Sequence, residues 1–192
     1  MPSRTTIDRA SIPWLLTAAI FPLAAVQMHL DGRLWWCTLG DWSPWSSDVW
    51  GPHNSQHFLD PYSLTHVTHG VLLCGLAWLL LPRAGLGWQL FIATVLEAAW
   101  EVVENTDFVI DRYREETAAI GYHGDTVVNS LGDIACCVAG FAIARRLGLM
   151  KSIVFVVGLE LALLVSIRDN LLLNVVMLFW PLDAVKAWQT PS

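Results

Sequence analysis

The chain has 192 residues and a mass of 21.4 kDa, enough for one domain. Hydrophobic residues make up 55% and charged residues 15%, against about 25% charged in soluble domains, which argues against a soluble enzyme and against disorder. The net charge is -6 with no basic run, so nucleic acid is not an expected partner, and the class that remains is an all-α membrane bundle surrounded by lipid.

Runs of about 20 apolar residues mark membrane spans. The first covers 12–30, behind Arg4 and Arg9. It lacks an A-x-A cleavage site and is broken by Pro13 and Pro22, so it reads as a retained anchor. A long loop, 31–63, holds Trp35, Trp36, Trp42, Trp45 and Trp50. Tryptophan gathers at the headgroup zone, so this loop is expected to lie along the membrane surface. Within it His53 reads as solvent-exposed and His57 as a residue covering a site below. The second and third spans are 64–81 and 86–104, followed by a loop, 105–125. The fourth and fifth are 126–147 and 153–167. A last apolar stretch, 171–182, is short enough to be re-entrant or interfacial. The whole chain reads as a single transmembrane domain, 1–192. Cys37, Cys74, Cys136 and Cys137 show no C-x-x-C spacing and read as small buried hydrophobes.

With five spans, Arg4, Arg9, Arg83, Arg145, Arg146 and Lys151 share one side. The positive-inside rule makes that side, with the N-terminus, the cytoplasm. The loops with most of the acids then face outward.

The polar residues inside the spans follow helical spacing. Glu97, Glu101 and Glu104 stand at i, i+4, i+7; Asp125, Asn129 and Asp133 at i, i+4, i+8; His66 and His69 at i, i+3. Each set lies on one helix face. All three sit in the outer half of their spans, so the simplest packing turns them toward one another and away from hydrocarbon. Arg168, Asp169 and Asn170 end the fifth span at the same depth.

Imidazoles and carboxylates together can bind a divalent metal such as Zn, Fe or Mn. The expected metal set is His66, His69, Glu97, Glu101 and Asp125. His66, Glu101 and Asp125 form the expected catalytic centre, supported by Glu104, Asp133 and Asp169. His57, Asn129, Arg112, Arg114 and Arg168 are expected to hold substrate, with arginine suited to an anionic headgroup. Glu160, alone in the fifth span, reads as a hydrogen-bonded or protonated group inside the bundle. Gly132 and Gly140 read as points of close helix contact.

Six motifs occur together: N-S-Q-H-x-x-D-P-Y (Asn54 to Tyr62), H-x-x-H-G (His66 to Gly70), E-A-A-W-E-x-x-E-N (Glu97 to Asn105), D-R-Y-R (Asp111 to Arg114), G-D-x-x-x-N-S-x-x-D (Gly124 to Asp133) and R-D-N-L-x-L-N-V (Arg168 to Val175). As a set they resemble a bacterial family of small multi-pass inner-membrane proteins of unknown function. Asp125, Asn129 and Gly132 are also similar to a short pattern of VanZ-like membrane proteins, which implies a role in the cell envelope and names no substrate.

Three functions fit this pattern. One is an outward-facing hydrolase or transferase, with or without metal, acting on a lipid or lipid-linked substrate. Another is a non-catalytic site that binds or transports a cation or headgroup. The third is a structural subunit. Polar residues fade toward the cytoplasmic side, which favours a one-sided pocket over a pathway.

Overall fold

The computed structural model describes residues 8–119 and 121–190. Arg4 lies outside the described residues. Among those residues the chain is helical, with no strand and one isolated bridge between Trp45 and Leu59.

A 3-10 turn, Arg9–Ser11, leads into α1, Ile12–Leu30. Pro13 sits in the first turn of α1, where its missing N–H costs nothing. α2 covers Ser63–Leu80 and α3 Leu86–Glu104. α5, Val127–Leu147, is parted from α6, Leu149–Ile167, by Gly148 alone, at φ +73°. These five helices are long and apolar enough to cross a membrane. The fifth begins at Leu149, four residues ahead of the expected 153, because one left-handed glycine is enough to turn the chain. Lys151 therefore lies inside the first turn of α6.

Two segments hold more helix than expected. The loop 105–125 contains α4, Asp107–Glu116, whose Val109, Ile110 and Tyr113 are buried. Its charged residues hide this short stripe in the sequence. The stretch 171–182 holds α7, Leu171–Phe179, which is about 14 Å long and far short of a span. Pro181 lies between α7 and α8, Asp183–Gln189. α4 and α7 are joined side by side: Tyr113 donates its hydroxyl to Asn174 Oδ1 at 2.7 Å, and Arg112 Nε donates to Leu178 O at 3.0 Å.

α2 and α5 form the centre of the bundle, backbone against backbone. A Cβ on Gly70 would stand 1.9 Å from Cys137 O, and one on Gly140 2.0 Å from Val67 O. Small residues allow such approaches. Gly132 makes room instead for the loop, since a Cβ there would stand 1.9 Å from Phe58 O. Toward the short turns, Val71, Cys74 and Ala77 of α2 pack with Leu90 and Ala93 of α3 and Phe141 and Ala144 of α5. The long connections meet at the opposite end. There Val127 N donates to Leu34 O at 2.8 Å, Thr126 N to Ser55 O at 3.0 Å, and Tyr62 Oη to Asp169 Oδ2 at 3.2 Å. The imidazoles of α2 and the carboxylates of α3 and α5 lie at this loop end.

Candidate functional site

At the loop end α2 and α3 bring imidazoles and carboxylates into contact. His66 Nδ1 is 2.6 Å from Glu97 Oε1 and 3.2 Å from Glu101 Oε1. His69 Nδ1 lies 3.1 Å from the same Glu97 oxygen. The two rings meet edge to face, with centroids 4.9 Å apart. Glu97 is thus held from two sides. Glu101 is fully buried, and neither of its oxygens completes a hydrogen bond. Glu104 Oε2 and Asp133 Oδ1 are likewise buried without a partner. Among the described residues the only Lys or Arg ion pairs are Arg112–Glu116 and Arg114–Asp111, so the only groups placed to offset this cluster are the imidazoles of His66 and His69.

Two triads have metal-binding geometry, His66–His69–Glu97 and His66–Glu101–Glu104, with ligand atoms within 4.8 Å of one another in each. They share His66. A buried carboxylate group without counter-charge is costly, and a divalent cation is a fitting remedy for this donor set.

Above the cluster lies a cavity of about 280 Å³. Its polar lining includes His66, His69, Glu104, Asp125, Asp133 and Asp169, and its apolar wall includes Trp100, Leu171, Val175, Leu178 and Phe179. Asn105, at the end of α3, clasps Asp125. Its Nδ2 donates to Asp125 Oδ2 at 2.8 Å, and its Oδ1 accepts from Asp125 N at 2.7 Å. Burial pushes the Asp125 carboxyl above the usual range despite that bond. Burial, reinforced by nearby carboxylates, also holds Tyr113 and Tyr122 well above a free phenol, so both face the cavity as neutral O–H groups.

The structure thus gathers His66, His69, Glu104, Asp125, Asp133 and Asp169 around one cavity, with Glu97 and Glu101 held behind the two histidines. Other residues expected to touch substrate are placed away from it. Arg112 pairs with Glu116 at 3.1 Å, Arg114 pairs with Asp111, and Arg168 Nη1 donates to Trp188 O at 3.1 Å. None of the three lines the cavity. Asn129 Nδ2 donates to His57 O at 2.7 Å, which pins the Trp-rich loop to α5. His57 is buried, with Nδ1 2.6 Å from Ser43 O. Glu160 accepts from Thr68 Oγ1 at 3.1 Å, as a hydrogen-bonded group would. Tyr62, Asn105 and Tyr113 stand in the sequence motifs without an assigned place in the site, and Tyr122 and the α7 side chains carry no sequence signal for it. Asn105 had one signal, its position directly after Glu104.

Asp169 and Asp60 carry a stability prediction. Burial raises each from 3.8 to about 6. The folded chain then holds more protons than the unfolded chain between about pH 4 and 6. Their contribution is fully present below about pH 4 and is lost as pH rises through about 6. Asp169→Asn removes one of these groups, so its melting temperature in detergent is expected to fall less than the native chain's between pH 4 and 6.5. Parallel melting profiles would contradict this.

A family model described as "Protein of unknown function (DUF2585)" matches residues 28–191. The chain belongs to this family. It is 43% identical over 186 residues to a UPF0314 protein of Paracoccus denitrificans (strain Pd 1222), covering 97% of this chain and 96% of that one. It is 44% identical over 183 residues to UPF0314 protein R03235 of Rhizobium meliloti (strain 1021), covering 95% and 93%. UPF0314 protein NGR_c32320 of Sinorhizobium fredii (strain NBRC 101917 / NGR234) is 44% identical over 188 residues, covering 96% and 95%. No solved structure matches the chain.

Proposed function

We propose that the chain is an inner-membrane enzyme that uses a divalent cation to hydrolyse, or transfer a group from, a lipid or lipid-linked substrate. The observation that carries this reading is the two-sided cavity. One wall is carboxylate and imidazole, and the other is Trp100 with the apolar face of α7. An amphiphile has the matching division, and an isolated polar metabolite does not.

Zn, Fe or Mn suits a mixed nitrogen and oxygen donor set. His66 is the shared ligand, with His69 and Glu97 on one side and Glu101 and Glu104 on the other. Such an ion lowers the pKa of bound water and supplies a nucleophile at neutral pH. Asp125, aimed by the Asn105 clasp, would serve as the base that accepts a proton from attacking water. Tyr122, whose buried hydroxyl has no partner, presents a neutral donor for the leaving oxygen. Arg9, Arg83, Arg145, Arg146 and Lys151 lie toward the short-turn end, which supports a cytoplasmic N-terminus and an outward-facing cavity. The apolar packing of α2, α3 and α5 below the cluster supports a one-sided site over a transport pathway.

The test is reconstitution of the full chain in vesicles of phosphatidylethanolamine and phosphatidylglycerol, with Mn²⁺ or Zn²⁺ added and lipid products read by mass spectrometry. Metal-dependent headgroup release is expected, falling at least about 100-fold in His66→Ala and Asp125→Asn. Metal binding with every lipid left intact would favour the non-catalytic reading.

A further inference from the structure

We propose that the Trp-rich loop between α1 and α2 carries a structural zinc site formed by Cys37, His53 and His57, with Asp41 at its open side. This site shares no residue with the intramembrane cluster and does not depend on the function proposed for it.

The spacings are those of a metal's coordination edges. Cys37 Sγ is 3.5 Å from His53 Nδ1, and His53 Nδ1 is 3.0 Å from His57 Nε2. The three ligand atoms all lie within 4.8 Å of one another. Tetrahedral zinc, with bonds of about 2.3 Å to sulfur and about 2.05 Å to nitrogen, sets ligand edges of about 3.6 Å for S to N and about 3.3 Å for N to N. Small shifts would complete the set. Asp41 Oδ2 lies 4.0 Å from His57 Nε2 and is placed to close the fourth position. Trp36 Nε1 donates to Asp41 O at 2.7 Å and fixes the backbone there.

The surroundings prepare the ligands. Ser43 O is 2.6 Å from His57 Nδ1, so that nitrogen carries the proton and Nε2 is left with a free lone pair toward the cluster. This is the usual outer-shell arrangement for a metal-binding histidine. His57 is fully buried and Cys37 nearly so. Trp36 packs its ring edge to face against His57, at a centroid distance of 6.1 Å.

Hydrogen bonding alone does not satisfy the trio. With its single proton on Nδ1, a neutral His57 can only accept at Nε2, so His53 Nδ1 must donate to it. The same His53 nitrogen cannot then accept from the Cys37 thiol. A cation at the centre engages all three atoms at once. It would close the chain from 37 to 57 and hold the tryptophan loop over the start of α5, where Asn129 already grips His57 O.

Cobalt(II), added to metal-free, reduced full-length protein in detergent, reads the site directly. A thiolate-to-cobalt charge-transfer band is expected. It should disappear in Cys37→Ser, and it should persist in His66→Ala, which empties only the intramembrane cluster. Absence of the band from the native sequence, or its persistence in Cys37→Ser, overturns the proposal. A second readout needs no variant. Maleimide labelling of Cys37, followed by peptide mass spectrometry, should slow at least tenfold with zinc and recover with chelator. Equal labelling rates with and without zinc overturn it too.

Discussion

Gly70→Ala and Gly140→Ala are each expected to cost about 3 kcal/mol or more, and Gly70→Val or Gly140→Val to abolish folded protein. The reason is what the new Cβ meets. At Gly70 it is Cys137 O at 1.9 Å, and at Gly140 it is Val67 O at 2.0 Å. Both are backbone atoms inside helices, so neither can swing aside as a side-chain end does. Relief requires α2 and α5 to part. That would loosen the packing of Val71, Cys74, Phe141 and Ala144, and it would carry His66 away from Glu97 on α3. Gly75→Ala and Gly158→Ala are the controls. Nothing lies within 4 Å of a Cβ at either position, and both are expected to leave stability unchanged or slightly raised. Thermal melts with size-exclusion monitoring in detergent separate the two classes. A Gly140→Ala variant that melts like its Gly158→Ala control would refute the close approach.

The same pair of helices shows how far the sequence could be read. Spans were legible because membrane length and apolarity are local properties. The convergence of Glu97, Glu101, His66 and His69 was legible too, because charges on one helix face have few places to go in hydrocarbon. Residue roles were less so. Asn129 is spaced four residues from both Asp125 and Asp133, yet Asp125 precedes α5 and the Asn129 amide holds the backbone of His57. Spacing puts a side chain on a face and does not say which neighbour fills the gap. The arginines of α4 suit a headgroup clamp by their bidentate chemistry, or an ion-paired segment; Glu116 and Leu178 O hold Arg112, and Asp111 holds Arg114. Cys37 and His53 looked ordinary for a similar reason. A loop's path is set by distant contacts, here the Trp45–Leu59 bridge and the Asn129 bond, and these bring residues 16 apart together.

Glu101 separates a metal site from a merely polar core. A fully buried carboxylate with both oxygens unbonded costs several kcal/mol if nothing offsets it. Glu101→Gln keeps the shape and removes the charge. If a cation occupies the cluster, the native chain should melt several degrees higher with saturating Mn²⁺, since a ligand at about 100 times its Kd adds about 2.7 kcal/mol. Glu101→Gln should lose most of that response, with affinity down at least about 100-fold. In chelator the order should reverse, with Glu101→Gln melting at or above the native chain because a buried carboxyl faced only by His66 is replaced by a neutral amide. Manganese is the right probe because it favours carboxylates and binds thiolate poorly, so Cys37 does not report in this assay. A native chain indifferent to Mn²⁺, with Glu101→Gln matching it in every condition, would make Glu101 a neutral packing residue. The cluster would then hold the helices together and would not hold a cation. The reversal in chelator is the decisive feature, because a variant that merely damaged the fold would melt lower in both conditions.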